Sequence, residues 1–141
     1  MRFWDASALV PLLVDEATTT GLQRLLTTDP TMTVWWGTEV ECTSALARLE
    51  RDKSVGPDVI AAAFDRLKHV VDSWSQVDAT DTVRATAVRF LRVHALRAAD
   101  ALQLAAAFEV SGHQPSSLEI VTLDDRLASA ARREGFVIVV P

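Results

Sequence analysis

Cysteine is nearly absent from this chain of 141 residues, in which Cys42 is the only one. A single thiol excludes an intramolecular disulfide and a zinc site built from several cysteines. Long apolar runs are also missing, since none approaches the roughly 18 to 20 residues that a membrane-spanning helix needs. The first residues lack the regions typical of a signal peptide, so we expect a cytoplasmic protein with no membrane contact.

Basic charge is scarce as well, because the formal net charge is -5 at pH 7. Proteins that bind nucleic acid through their overall charge are usually basic, so avid and non-specific binding is not expected here. A nucleic-acid enzyme remains possible, because a divalent cation bound by a carboxylate cluster offsets its negative charge locally. Twelve of the 14 basic residues are arginines, which suit either phosphate contacts or ordinary solvated helix faces.

Short apolar runs alternate with helical patterns along the whole chain. The length and the hydrophobic content of 49% predict one globular domain, residues 1–141. Strands are predicted at 2–5, 32–35, 75–78, 119–122 and 136–140. Helices are predicted at 16–28, 38–52, 58–74, 81–94, 98–110 and 124–134. This alternation predicts an α/β domain of three layers, α/β/α, with helices on both faces of a mostly parallel sheet.

Three local patterns refine this prediction. Ser7 is a suitable N-cap for a helix after the first strand. Residues 98–110 are apolar almost all round, which predicts a helix in the middle of the protein. Residues 136–140 (FVIVV) show no polar alternation, which is typical of a strand that is buried on both faces.

Four acidic residues fall where such a fold would bring them together. Asp5 ends the first predicted strand, and Asp124 lies just past the predicted strand that ends at Thr122. Ligands bind open parallel sheets beyond the carboxyl ends of strands, at a topological switch point. Asp100 opens the most apolar helix, and Glu41 lies in the first turn of its own helix. If those two helices begin near the same edge of the sheet, four carboxylates converge.

Converging carboxylates without histidine or cysteine select a hard cation such as Mg²⁺ or Mn²⁺. One or two such ions position a water, lower its pKa and stabilise the charge that develops on a phosphodiester. The four acids are therefore predicted to be metal ligands in a hydrolase that acts on phosphodiester bonds.

Each acid also has a structural explanation. Glu41 stands three residues after Thr38, in the spacing of a capping box. Asp100 and Asp124 could cap their helices. Asp5 is explained least easily in this way, because a carboxylate at the end of a buried strand is costly unless it is bound to something.

Two neighbouring acids compete for places in the cluster. Asp125 adjoins Asp124, and the spacing favours Asp124 without excluding its neighbour. Glu39 is two positions from Glu41, and side chains two residues apart on a helix face different ways. Only one of the two glutamates is therefore expected to face the site.

Four segments resemble the motifs of the PIN-domain ribonucleases, and in particular of the VapC-type toxins. They are DASALV at 5–10, ECTSALARLER at 41–51, LRAADALQLAAA at 96–107 and TLDDRLASAA at 122–131. The segments occur in the order of the family motifs and span nearly the whole chain, and the third is the most specific. The acidic motif positions are those of Asp5, Glu41, Asp100 and Asp124, and the polar residues Ser7 and Thr122 match positions that support the metal site.

The resemblance implies a five-stranded parallel sheet, dependence on Mg²⁺ or Mn²⁺, and endoribonuclease activity with a metal-activated water. It also implies a homodimer and a VapB-type antitoxin partner, through which alone the protein would contact DNA. The chain is accordingly predicted to be the toxin of a toxin–antitoxin pair. The alternative is a PIN-like binding module that pairs with a partner without cleaving RNA, and the acids present at all four positions argue against it.

Aromatic residues and histidines add little to this prediction. Trp4 and Trp35 lie in predicted strands and are expected in the core, whereas Trp36 lies at a strand end, where it could pack or stack on a base. The histidines show no ligand spacing and are expected to be structural or on the surface; they are His69, His94 and His113.

Overall fold

Five short parallel strands form the centre of the computed structural model, which describes residues 1–141. The strands are β1 (Arg2–Trp4), β2 (Thr33–Trp35), β3 (Ser75–Val77), β4 (Glu119–Val121) and β5 (Val137–Val139). They pair in the order β3-β2-β1-β4-β5, and every neighbouring pair is parallel. The predicted α/β fold with a five-stranded parallel sheet is confirmed.

Seven α-helices surround this sheet. They are α1 (Ala6–Leu13), α2 (Thr19–Thr28), α3 (Thr38–Arg51), α4 (Pro57–Ser73), α5 (Asp81–Val93), α6 (Ala98–Val110) and α7 (Asp125–Glu134). Among the predicted helix bounds, the largest difference is at α2, which begins three residues later than predicted. There the Thr19 hydroxyl accepts from the Glu16 N–H at 2.8 Å and donates to the Pro11 carbonyl at 2.6 Å, which holds the preceding residues in a turn. No helix has the length and apolar character needed to cross a membrane.

Two apolar clusters cover the two faces of the sheet, as alternation along a strand requires. In β1, Phe3 joins a cluster of 16 buried residues that includes Leu104 of α6. Trp4 joins a second cluster of 13 buried residues that includes Leu46 of α3. Small alanines along α6 are fully buried and let α5 and the sheet approach closely, so the prediction that 98–110 lies inside the protein is confirmed.

Two local predictions were wrong. The N-cap of α1 is Asp5, not Ser7: Asp5 has an extended backbone, and its side chain accepts from the Ser7 N–H at 3.3 Å. The last strand is not buried on both faces, since Val137 is 48% exposed. β5 lies at the edge of the sheet with β4 as its only neighbour, and the order of the strands decides that burial.

The tryptophans and histidines lie where the sequence predicted, in the core or on the surface, and the structure adds a partner for one histidine. Trp4 and Trp35 are buried, and Trp36 is exposed beyond the end of β2. His69 and His113 lie on the surface, but His94 is buried and its Nε2 lies 2.7 Å from Glu134 Oε2. The sequence showed no partner for His94 because the two residues are 40 positions apart.

The direction of chain connection reverses between β1 and β4, the central pair of the sheet. From β1 the chain proceeds to β2 and β3 on one side, and β4 and β5 lie on the other. Trp4 pairs with Val121, and the Asp5 N–H donates to the Val121 carbonyl at 3.0 Å. The carboxyl ends of β1 and β4 therefore meet at a topological switch point, where ligands bind in folds of this kind.

Candidate active site

Asp5 occupies the bottom of this switch point. The residue is 4% exposed, and its Oδ2 accepts from Ser7 Oγ at 2.5 Å, from Thr122 Oγ1 at 2.9 Å and from the Ser7 N–H at 3.3 Å. The other carboxylate oxygen, Oδ1, has no hydrogen-bond partner in the protein. Asp5 is thus held rigidly through one oxygen, and the other is available to a ligand.

Ser7 and Thr122 join the two chain segments that follow β1 and β4. Their hydroxyl oxygens lie 3.2 Å apart, and the Leu123 N–H donates to Ser7 Oγ at 2.9 Å. The Asp124 N–H donates to Thr122 Oγ1 at 3.1 Å. The two side chains that the sequence suggested as supports for the site therefore contact Asp5 and set the backbone that carries Asp124.

Asp124 is the N-cap of α7, where its Oδ1 accepts from the Leu127 N–H at 3.0 Å. This capping role was one of the alternatives left open by the sequence, and it leaves Oδ2 free. Asp125, the rival acid, is the first residue of α7 and is exposed, whereas Asp124 is half-buried. Capping and participation in the acidic cluster are compatible at Asp124, because a capping carboxylate uses only one of its oxygens.

Glu41 does not form the capping box that its spacing from Thr38 suggested. Thr38 is already inside α3, the N-cap is Gly37, and no side chain caps this helix. The Glu41 carboxylate instead accepts from Gln103 Nε2 on α6 at 3.2 Å. Glu39 is exposed, so of the two glutamates Glu41 is the one directed towards the interior.

Gln103 is a residue that the sequence analysis missed. It is 1% exposed, and its Nε2 also donates to Thr38 Oγ1 at 3.2 Å, while its Oε1 is buried without a partner. The sequence did contain a signal for Gln103: it is a single amide among the apolar residues of α6, and a buried polar side chain needs hydrogen-bond partners. Those partners lie more than 60 positions earlier in the chain.

Asp100 lies in the first turn of the same helix, one turn before Gln103. Asp100 is not the N-cap that the sequence allowed, since the N-cap of α6 is Arg97; its Oδ2 instead accepts from the Arg97 N–H at 3.3 Å, as the third residue of a capping box. Asp100 is half-buried and lines an open cleft of about 300 Å³ together with Asp124, Asp125, Arg97 and Arg126. Asp100 and Asp124 thus form the open side of the cluster.

The electrostatics show that the four acids share one region. Burial raises the pKa of Glu41 to about 7, with smaller contributions from the charges of Asp5 and Asp100 and against the hydrogen bond from Gln103. Burial also raises the pKa of Asp5, against hydrogen bonds from Ser7 and Thr122, with a smaller contribution from Asp124. The pKa of Asp100 is raised by burial and by Asp124. The acids destabilise one another's charge, and at Asp100 the charges of Arg97 and Arg126 act against this effect.

The donor set suits a hard divalent cation. All four side chains offer carboxylate oxygens, and the buried Oε1 of Gln103 is a further oxygen without a partner. As the side chains stand, no three of the histidine, cysteine, aspartate and glutamate residues are grouped closely enough to hold a metal ion. Side-chain rotation would therefore be needed for several of the carboxylates to share one cation. At their present separation the carboxylates repel one another.

Comparisons with known proteins give the fold but no sequence family. No protein-family model matches the chain, and no curated protein sequence matches it significantly. Solved structures do match, and three of them illustrate the likeness. VapC20 from Mycobacterium tuberculosis, a toxin that cleaves the sarcin–ricin loop, aligns over 100% of both chains with 20% identity and a TM-score of 0.70.

The other two structures cover nearly the same length. FitAcB from Neisseria gonorrhoeae aligns with 98% of this chain and 96% of its own at 16% identity and a TM-score of 0.67. PAE2754 from Pyrobaculum aerophilum aligns with 98% of this chain and 88% of its own at 26% identity and a TM-score of 0.66. Together with the strand order and the acidic switch point, these likenesses show that the chain has the PIN-domain fold of the VapC-type toxins.

Proposed function

We propose that this chain is an endoribonuclease that depends on Mg²⁺ or Mn²⁺ and acts as the toxin of a toxin–antitoxin pair. The observation that carries the proposal is the placement of Asp5, Glu41, Asp100 and Asp124 around the switch point of the sheet, where burial and mutual repulsion raise the pKa of three of them. A fold shared with a toxin that cleaves the sarcin–ricin loop supports RNA as the substrate.

The hydrogen bonds support a different role for each of three acids. Asp5 is the most rigid of the proposed metal ligands, because Ser7 and Thr122 fix its Oδ2. Asp124 is oriented by its capping bond to the Leu127 N–H. A bound divalent cation supplies positive charge that activates water and stabilises the charge developing on the phosphodiester.

Glu41 is proposed to release a proton when the cation binds. With a pKa of about 7, its carboxyl is partly protonated at neutral pH when no cation is present. Gln103 Nε2 donates to Oε2, so the proton lies on Oε1. Cation binding must displace this proton, and we therefore expect the affinity for Mn²⁺ to increase as the pH rises towards and through 7.

The same proposal includes the partners implied by the family resemblance. They are a VapB-type antitoxin, a second copy of the chain in a homodimer, and DNA only through the antitoxin, in the cytoplasm. Expression of the chain alone should arrest growth, and co-expression of a small protein encoded beside it should restore growth. Arrest that persists in the Asp5→Ala variant would contradict the link between toxicity and the acidic site.

The direct test of the enzyme uses purified chain freed of any antitoxin. Total cellular RNA and a hairpin that copies the sarcin–ricin loop are incubated with Mn²⁺, with Mg²⁺ or with EDTA, and the new RNA ends are mapped. We expect defined cleavage with either metal and none with EDTA. Glu41→Gln should abolish cleavage and the matched variant Glu39→Gln should retain it, because Glu39 lies on the surface. Cleavage that survives EDTA or Asp5→Ala would refute the mechanism.

A further inference from the structure

A second cleft, of about 280 Å³, adjoins the acidic site along α7. Its lining includes Arg126 and Asp125, which also line the cleft that contains Asp100 and Asp124. The two clefts are therefore parts of one groove. The second part contains Ser129 and Arg133 and no acidic residue other than Asp125.

The cationic side of this second cleft is free to bind a ligand. Arg126, Ser129 and Arg133 are exposed and lie three, four and seven positions apart, which places them on one face of α7. Neither arginine takes part in any of the five ion pairs of the structure, and neither does Asp125. Two guanidinium groups outside any ion pair, beside a hydroxyl, form a donor set suited to a phosphate. Arg126 also lines the adjoining cleft with Asp100 and Asp124, whereas Arg133 lines only the second cleft.

The back of the cleft is rigid, because the buried side chain of His94 forms part of its wall. Glu134 holds the ring through Nε2 at 2.7 Å, and the buried Nδ1 has no partner. This contact ties the end of α5 to the end of α7. The arginines therefore stand around a preformed concavity, which distinguishes them from the arginines of a freely solvated helix face.

We propose that this second cleft binds a phosphate of the RNA backbone next to the one that is cleaved, with Arg126, Ser129 and Arg133 as its ligands. The proposal rests on the ribonuclease function proposed above. A chain with a net charge of -5 repels RNA at long range, so local cationic contacts are needed to hold the strand across the acidic cluster. Contacts to backbone phosphates set register and orientation without reading sequence.

The first experiment compares Arg133→Gln with Arg132→Gln, a matched control at an exposed neighbour that lines neither cleft. Binding of a labelled single-stranded RNA of mixed sequence is measured at several salt concentrations in the non-cleaving Asp100→Asn background. We expect Arg133→Gln to weaken binding about threefold to tenfold. The slope of log affinity against log salt should lose about 0.7, the value for one phosphate contact on a single strand. Arg132→Gln should leave both quantities nearly unchanged.

A second measurement assigns the phosphate. In a series of RNAs, each carries one neutral methylphosphonate in place of a backbone phosphate. At one position only, this replacement should weaken binding to the chain that retains Arg133, and Arg133→Gln should then cause no further loss of affinity. Equal effects of the two arginine variants, or an Arg133→Gln effect that persists at every position, would overturn the proposal.

These outcomes separate the two proposals. RNA binding that requires Arg133, in a protein whose unmutated chain cleaves nothing, would refute the ribonuclease and leave the phosphate site standing. Cleavage with a KM unaffected by Arg133→Gln would refute the phosphate site alone. A complete absence of RNA binding would refute both.

Discussion

The inner and outer halves of the acidic cluster hold their carboxylates in different ways. In the inner half, Asp5 and Glu41 accept hydrogen bonds from the side chains of distant residues, Thr122 and Gln103, and Asp5 also accepts from the nearby Ser7. In the outer half, Asp100 and Asp124 accept only from backbone N–H groups at the starts of their own helices, and they face an open cleft.

This difference suggests a division of labour within the proposed site. Side-chain hydrogen bonds in a buried place fix orientation strongly, and burial makes the charge of the inner acids costly in the absence of a counter-ion. The outer acids are locally held and accessible, as a position shared by metal and substrate requires. The inner half should therefore control metal affinity and stability together, and the outer half should control catalysis with little effect on stability.

The largest expected effect comes from Asp5→Asn. The amide keeps an acceptor for the Ser7 N–H but removes the charge, so RNA cleavage should fall by at least about a hundredfold. The melting temperature in EDTA should rise, because burial raises the pKa of Asp5 and its charge opposes folding. RNA cleavage assays with Mn²⁺ and thermal melts in EDTA measure the two effects. A lower melting temperature together with full activity would contradict this account of the inner half.

A smaller effect is expected at the outer half from Asp124→Asn. Asparagine is as good an N-cap as aspartate, so α7 should keep its stability to within about 0.5 kcal/mol. Cleavage should fall roughly tenfold to a hundredfold, because a proposed ligand oxygen loses its charge. Asp125→Asn is the matched control and should retain cleavage within about threefold. If Asp125→Asn reduced cleavage more than Asp124→Asn, the ligand role would belong to Asp125.

The variant Thr122→Val tests the bridge between the halves. It removes the 2.9 Å hydrogen bond to Asp5 and the acceptor for the Asp124 N–H at 3.1 Å. We expect a loss of about 1 to 3 kcal/mol in the free energy of unfolding and roughly tenfold weaker Mn²⁺ binding. Thr122→Ser keeps the hydroxyl and should restore most of both, and equal behaviour of the two variants would show that the bridge has no role.

The smallest expected effect is the pH dependence of stability without metal. The pKa of Glu41 is raised from 4.5 to about 7, so folding favours its protonated form. This contribution is complete below pH 4.5, is lost as the pH rises to 7 and changes little beyond that. Urea midpoints in EDTA should therefore fall less across this interval in Glu41→Gln than in the unmutated chain. Glu39→Gln should show the same dependence of urea midpoint on pH as the unmutated chain. If Glu41→Gln also showed that dependence, the prediction would be contradicted.

Much of the fold could be predicted from local patterns. The bounds of α6 agree with the predicted 98–110, because an apolar run flanked by polar segments defines a buried helix in its own sequence. Predictions that depended on distant contacts were less accurate. β5 was expected to be buried on both faces but is partly exposed at the edge of the sheet, and the Thr38 spacing suggested a cap where Glu41 instead contacts Gln103.

The sequence by itself determined the alternation of strands and helices, the placement of Asp5 and Asp124 after strands, and the four acidic motif positions. Only the tertiary structure decided which of those acids are buried, which atoms hold them, and that Gln103 and the groove along α7 adjoin them. The physical reason is range: helix and strand patterns arise from neighbours within a few residues, whereas the site is built from hydrogen bonds between residues 62 and 117 positions apart.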